Sequence, residues 1–411
     1  MAFGKSIKHS RVLILDIGSG SVGGALVLVP VQKGEEDFSF KNKPTILETV
    51  RFTLPIAETI VYKDFLKNVL TNVSMVVEKL SKTNFGVPEA VHVFLSSPWY
   101  GAQTRTISSV KNTPFVCNEK LLEGVLLADE KIFEEEKLKA WGLFDKDASV
   151  IEHYVESIRL NGYKIDDVKS AMGKKVKKVE LTTFLSVSPF EIVGKIEDKI
   201  KQVLKKKINF HSNIYVDAVF TGILANKEES FMLVEMGAEI TDVVSVREGV
   251  IVESSTIPYG KNSLVRRISK EKKVSLVEAS SLISAYIDGH LTTEASVDLE
   301  KILLKCKNEF DPLFKDALQN LAKNFLLPSS MYIVSASKSA AILTKTITDP
   351  LFTPYILSGK TFNAIIIERE RLKDFCDKIP DATDPVFITQ AIFISANYHN
   401  QFMPRNILQD I

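Results

Sequence analysis

The sequence predicts an α/β protein of two related lobes facing each other across a cleft, with a small α+β unit inserted into the first lobe. One sign is the stretch "RVLILDIGSGSVGGALVLVP", residues 11–30: two apolar, β-branched runs about a small-residue turn, with Asp16 near the end of the first run. Another is the return of that pattern from Phe231, "FMLVEMGAEITDVVSVREGVIVESSTIPYG", where Glu235 takes the place of Asp16. The last is a change of texture between the two stretches, charged and helical over 118–141 and then hairpin-like about Asn161-Gly162. An acid-ended hairpin that occurs twice is the mark of two related halves.

The elements follow in order. After the first hairpin, "KGEEDFSFKNKP" (33–44) is polar and turn-like, and "TILETVRFTLP" (45–55) reads as a strand. Phe65 to Leu80 carries apolar residues at helical spacing, and "VHVFL" (91–95) is again a strand. Residues 90–188 read as the inserted unit, and "PFEIVGKIEDKIKQVLKKK" follows as an amphipathic helix with Ile192, Ile196, Ile200 and Val203 on one stripe. "SSMYIVSASKSAAIL" reads as a strand, a small-residue turn and a helix start. The domain expectation is therefore 1–89 and 189–230 for the first lobe, 231–345 for the second, and 346–411 as a C-terminal segment packed on both.

Composition narrows the function classes. The 411 residues carry 52 Lys+Arg against 51 Asp+Glu, a net charge of +1, so no overall field favours nucleic acid or an anionic membrane. The basic runs Lys174–Lys178 and Lys205–Lys207 read as solvated faces. Cys117, Cys306 and Cys376 stand far apart and the six histidines have no ligand-like spacing, which argues against a disulfide framework or a zinc site. Residues 1–10 lack the apolar core of a signal segment, and no run reaches the roughly 18 apolar residues of a spanning helix. A soluble, cytoplasmic protein is expected.

The first turn admits two readings. It is a plain glycine hairpin, or it is a phosphate loop in which Asp16 orders a hydrated Mg²⁺ and Gly18, Ser19, Gly20 and Ser21 bring bare N–H groups to anionic oxygens. The repeat at Glu235 favours the second reading.

The order Asp16-Ile17-Gly18-Ser19, an inserted unit, then "LVEMGAEITDVV" and "GVIVESSTIPYGKN" resembles the actin-like ATPase superfamily, and within it the bacterial division protein FtsA and its relative PilM of type IV pilus assembly. Ile257-Pro258-Tyr259-Gly260 resembles the family's "TIPVGG", while Asn161-Gly162, Met172-Gly173 and Val179-Glu180 fall in line with its insert. The resemblance spans about residues 11–345 and rests on the order of the pieces. It implies an actin-like (ribonuclease H-like) fold, ATP and Mg²⁺ in the cleft, and an adaptor or filament role.

Carried over residue by residue, the resemblance implies phosphate contacts from Asp16, Gly18, Ser19, Gly20, Ser21, Gly237, Thr241 and Asp242, and a metal held by Asp16 and Glu235. It implies adenosine contacts from Glu278, Ser335, Ala336 and Ser337. The departures are equally specific. The basic residue that often follows the first turn is absent, with Gly23 and Gly24 in that region, and the second loop keeps only Gly237, with Ala238 and Glu239 in place of glycines. If Glu239 faced a phosphate at about 4 Å, it would repel it by about 4 kcal/mol at an effective dielectric near 20; turned outward, it would not. Asp242 could instead cap a turn, Pro258-Tyr259-Gly260 could be an ordinary turn, and Trp99 reads as core.

The tail "FISANYHNQFMPRNILQDI" has Pro404 and a single cation in its last dozen residues, so it shows no basic amphipathic anchor. The expected function is an FtsA-like scaffold linking an FtsZ-type ring to the inner face of the membrane, with nucleotide as a switch and catalysis limited to a weak ATPase. A PilM-like pilus platform bound to a membrane protein's cytoplasmic tail is the alternative, and a metabolic kinase on the same fold is a third. Self-association into filaments is expected, and nucleic acid is not.

Overall fold

β1 (Lys8–Ile17) turns through Gly18–Gly20 into β2 (Ser21–Val31) and pairs with it antiparallel, Asp16 opposite Gly23. The computed structural model describes residues 8–398 apart from 32–42, 141, 143–146, 166–167, 226–229, 336–339 and 382. The polar stretch after β2, the N-terminal residues 1–7 and the tail beyond 398 therefore lie outside the described residues. β3 (Thr45–Thr53) adds antiparallel to β2, α1 (Tyr62–Ser81) crosses over, and β4 (Ala90–Leu95) adds parallel to β1. Helix α1 buries Leu66, Val69, Val73, Val76, Val77 and Leu80, the i, i+3, i+4, i+7 stripe of an amphipathic helix.

The inserted unit is β5 (Gly101–Val116), α2 (Glu119–Ala140), β6 (Ala148–Leu160), β7 (Tyr163–Ile165), α3 (Val168–Ala171) and β8 (Lys175–Pro189). Its four strands lie in the order β5-β8-β6-β7, and Asn161 and Gly162 both take positive φ in the β6–β7 turn. The boundary at residue 90 needs correction. β4 is an interior strand of the first-lobe sheet, so the insertion starts at Gly101.

α4 (Phe190–Lys201) and β9 (Lys207–Ser212) return to the first lobe, completing a sheet of order β3-β2-β1-β4-β9. Of the apolar stripe, Ile192, Ile196 and Ile200 are buried, whereas Val203 is exposed because the helix stops at Lys201. α5 (Asn213–Ala225) then leads to the second lobe, β10 (Phe231–Met236), β11 (Thr241–Arg247), β12 (Val250–Ile257), α6 (Lys261–Lys272), α7 (Leu276–Ile287), α8 (Thr293–Leu321) and β13 (Ser330–Val334). α9 (Ala340–Ile347) and β14 (Asn363–Ile366) complete a sheet of order β12-β11-β10-β13-β14. α10 (Arg369–Leu372) precedes α11 (Pro385–Tyr398), which packs back on β2 and α5 of the first lobe.

The two sheets have one design: three antiparallel strands continued by two parallel ones. Interior strands of such sheets are covered on both faces and read as unbroken apolar runs. Along β10, Phe231 and Leu233 join the first-lobe core while Met232, Val234 and Met236 face α6–α8, as period-2 alternation requires. The first-lobe core thus extends onto one face of the second-lobe sheet, whose other face has its own core.

Candidate functional site

The site lies where the two acid-ended hairpins meet, and strand register decides what each acid faces. Asp16 on β1 stands opposite Gly23 on β2, and Gly23 stands opposite Arg51 on β3. Because Gly23 has no side chain, Arg51 reaches over it. A Cβ at Gly23 would lie 2.9 Å from the guanidinium carbon and 2.7 Å from the Phe387 ring. Arg51 Nη2 sits 2.8 Å from Asp16 Oδ2, Nε 3.1 Å from Asp384 Oδ2, and Nη1 donates to Ser21 Oγ at 2.8 Å. Phe387 closes the arrangement, with the guanidinium 4.9 Å from its ring centre. The other oxygen of Asp16 accepts from Asn213 Nδ2 at 3.0 Å and Gln390 Nε2 at 3.1 Å. The positive charge missing after the turn in sequence is supplied from β3, and the Asp16 carboxylate is fully engaged by the chain itself.

The phosphate-loop residues are committed in the same way. The Gly18 carbonyl accepts from Trp99 Nε1 at 3.3 Å, and its N–H donates to Ser21 O at 3.1 Å. Ser19 Oγ accepts from the Glu239 N–H at 3.1 Å, across the cleft. A Cβ on Gly20 would come within 2.4 Å of Ala238 Cβ, so the two hairpin tips touch. Trp99 is buried and stacked on Phe65 with ring centres 5.1 Å apart, a core residue as read.

On the second lobe, Glu235 stands opposite Asp242, and Asp242 opposite Thr256. Asp242 Oδ1 accepts from Thr256 Oγ1 at 2.7 Å, while Thr241 Oγ1 donates to Tyr259 O at 2.7 Å. The Gly237 N–H donates to Ile240 O at 2.9 Å, and Ser335 Oγ donates to Met236 O at 3.3 Å. Ala336 and Ser337 lie outside the described residues.

Of the two orientations open to Glu239, the structure shows the side chain turned to α6: its oxygens accept from Arg266 Nη1 and Nη2, each at 2.8 Å, and from Asn262 Nδ2 at 2.7 Å. The side chain anchors α6, and Arg266 Nε in turn donates to Ala57 O of the first lobe at 2.7 Å. Glu278 is spent on capping α7, accepting from the Ser275 N–H and Oγ at 2.8 Å each. The face of α7 that lines the cleft is instead Ser280, Ile283, Ser284 and Ile287. Asn213, Asp217, Gln390 and Arg51 were not singled out in the sequence, since only tertiary contact brings them to Asp16.

Between the hairpins remains a cavity of about 80 Å³, lined by Asp16, Asp217, Glu235, Arg51 and Lys261 among others. Burial and then the nearby Asp16 push the Asp217 carboxyl up to about 8. Burial, Asp217 and Asp242 raise Glu235 well above the usual carboxylate range, and burial raises Asp242 against the pull of its Thr256 and Ser97 hydrogen bonds. Burial lowers the Lys261 ammonium, helped by Arg51. The cavity thus sets two carboxyls whose burial favours the protonated form, Asp217 and Glu235, beside an Asp16 paired to Arg51, and Glu235 Oε2 lacks a hydrogen-bond partner among the described residues.

The fit to ATP and Mg²⁺ follows from this. Ligand pockets measure roughly 300–1,000 Å³; this cavity alone is smaller, and it shares Gly20 and Lys261 with an adjoining open groove. The oxygens that would order a metal-bound water already face Arg51, Asn213 and Gln390. With the hairpin tips in contact and Asp16 paired to Arg51, the phosphate end of such a site is occupied, among the described residues, by the chain's own groups. Among the described residues no set of three or more His, Cys, Asp or Glu side chains is grouped to hold a metal ion. Above the tips, between the end of β3 and helices α6 and α7, lies an open groove of about 710 Å³. Among the described residues no helix is long and apolar enough to cross a membrane.

No protein-family model matches the chain, and no curated protein sequence matches it. Solved structures do. The PilM–PilN type IV pilus biogenesis complex matches at 13% identity with a TM-score of 0.58, covering 94% of this chain and 98% of that one. MreB5 of Spiroplasma citri bound to ADP matches at 12% identity and TM-score 0.45, covering 95% and 99%, and the MamK double helical filament at 8% and 0.45, covering 95% and 99%. At such identities the likeness is one of architecture, and the chain has the two-lobed, actin-like ATPase fold.

Proposed function

We propose that this chain is an actin-fold adaptor of PilM type, which docks the cytoplasmic tail of a membrane protein without using nucleotide. The observation that carries the reading is the guanidinium of Arg51 on Asp16, beneath two hairpin tips in contact. A fixed internal cation stands where a nucleotide-bound metal would act, so the lobes are held closed by the chain's own groups. The full-length match in fold to PilM of the PilM–PilN complex supports the platform role. In this reading the protein works at the inner face of the membrane, recruited by its partner. The FtsA-like division scaffold is the second reading, favoured by the sequence motifs alone. The kinase reading gains a buried acid in Asp217, but the cavity which that acid faces measures only about 80 Å³.

Calorimetric titration of ATP·Mg²⁺ into the purified chain tests the first half. No heat beyond dilution is expected, and saturable binding lost in Asp16→Ala would overturn it in favour of a live switch. Pull-down with a peptide tail of a pilus inner-membrane protein, against an FtsZ-type protein, separates the two scaffold readings. Sedimentation with and without ATP reports on filaments.

A further inference from the structure

The outer end of the inserted unit carries a charge that the chain's total of +1 conceals. Residues 159–180 hold seven Lys+Arg against three Asp+Glu. Two of those acids, Asp166 and Asp167, lie outside the described residues, and the third, Glu180, meets Lys178 at 2.7 Å. Strand register gathers the cations. On β8, Lys178 stands opposite Val110 of β5 and Lys175 opposite Val116, with 111–114 bulging between them, so Lys111 joins the β8 lysines. The N–H groups of Lys177 and Lys178 both donate to Asn161 Oδ1, at 2.9 and 3.1 Å, which holds the start of β8 against the β6–β7 turn. The Cys117 N–H donates to Lys174 O and the Gly173 N–H to Cys117 O, each at 2.9 Å, tying the corner after α3 to the end of β5.

Lys111, Lys164, Lys169, Lys174, Lys175 and Lys177 are exposed at this end. Lys164 Nζ stands 3.9 Å from Glu248 Oε2 of the second lobe, an exposed pair of little strength. None of the other five is paired to a carboxylate of the described residues. Apolar side chains stand among these cations: Tyr163 is 77% exposed, Val110 63% and Val116 43%. The core of the insert does not need them, since Leu160, Val176, Val179 and Cys117 close it beneath, all buried.

We propose that this outer end of the inserted unit is a contact surface for a membrane bearing anionic lipid headgroups. Five unpaired ammonium groups at one end of a sheet complement a plane of negative charge that they meet together. Tyrosine and aliphatic side chains among lysines suit the headgroup layer, where the aromatic ring leaves water while its hydroxyl stays in it. A dissolved polyanion would engage the lysines and leave the two valines in water. The surface needs no protein partner, so it is independent of the docking of a membrane protein's tail, and bare vesicles test it alone.

The purified chain is sedimented with vesicles of phosphatidylcholine alone and of phosphatidylcholine and phosphatidylglycerol in equal parts. Binding is expected only to the second. A lysine near such a surface is worth about fivefold in affinity, so Lys174→Gln, Lys175→Gln and Lys177→Gln together should weaken binding by about 100-fold. The control is Lys205→Gln, Lys206→Gln and Lys207→Gln together, an exposed run at the start of β9 with the same change in total charge, which should bind as wild type does. An environment-sensitive dye on Asn112→Cys should report apolar surroundings on the anionic vesicles, and on Lys206→Cys it should not; both positions are exposed and the three native cysteines are buried. Equal binding to both vesicles, an equal loss in the control, or an unchanged dye at 112 while the chain sediments would each overturn the proposal. So would a short DNA duplex that strips the chain from the vesicles at equal phosphate concentration, which would assign the lysines to nucleic acid. Should the triple variant at 174–177 lose its helix signal, the dye and the two vesicle compositions still decide.

Discussion

Replacing Asp217 with asparagine should make the protein more stable, and the gain should depend on pH in a defined way. Asp217 lies on α5, buried, facing the small cavity beside Asp16 and Glu235. Its carboxyl is pushed up to about 8 by burial and by the charge on Asp16, so at neutral pH the folded chain keeps a proton there that the unfolded chain gives up. Holding that proton at pH 7 against an ordinary value near 3.8 is worth up to about 4 kcal/mol of stability forgone. The sign follows from the raised folded value. Stability is whole below the unfolded pKa, falls as pH climbs between the two values, and levels off above about 8. The asparagine side chain has no proton to hold and escapes that slope. Denaturant unfolding at a series of pH values should show Asp217→Asn ahead by up to about 4 kcal/mol at pH 7 and level with wild type near pH 4. A gain that does not vary with pH, or a loss at pH 7, would refute the claim that a buried protonated acid faces Asp16.

Three further outcomes follow from particular contacts. Gly20→Ala should destabilise by about 1–3 kcal/mol through overpacking, because its Cβ would meet Ala238 Cβ at 2.4 Å. Ala238→Gly in the same chain should restore most of that, as thermal unfolding of the pair would show. Arg51→Met strips Asp16 of its ion pair and should cost about 3–5 kcal/mol, the usual loss when one partner of a buried pair is removed, with Asp16→Asn recovering part of it in a double-mutant cycle. Glu156, raised to about 7 by burial against the pull of its Tyr215 hydrogen bond, loses stability as pH rises from about 4.5 to 7. Glu156→Gln should therefore match wild type near pH 4.5 and exceed it by up to about 3 kcal/mol at pH 8, measured by denaturant midpoints.

Much of the architecture was legible because it is written in local periodicity and repetition. The alternation along β10, the stripe of α1 and the glycine turn at Asn161-Gly162 are local patterns, and a second acid-ended hairpin pointed to a second sheet of the same design. Boundaries were less legible. "VHVFL" reads equally well as the first strand of an insert or the fourth of a lobe, and only its pairing with β1 and β9 decides. Glu278 was the nearest acid in the right helix by sequence, yet a capping box claims it, a signal present in Ser275-x-x-Glu278 itself.

The sequence by itself determined the two hairpins, the acids near the ends of their first strands, and the small residues that let their tips approach. It placed Glu239 at the second hairpin's tip, but not where its carboxylate went. Tertiary structure decided the state of the cleft. Whether Asp16 meets a metal or an arginine depends on the register of β3, which sets Arg51 across Gly23 from it, and on α11, which brings Gln390 from 374 residues away. A hairpin's register follows from its own turn, whereas pairing with a distant strand follows from packing of the whole lobe. That is why the loop could be read as a phosphate loop in sequence and found closed upon itself in three dimensions.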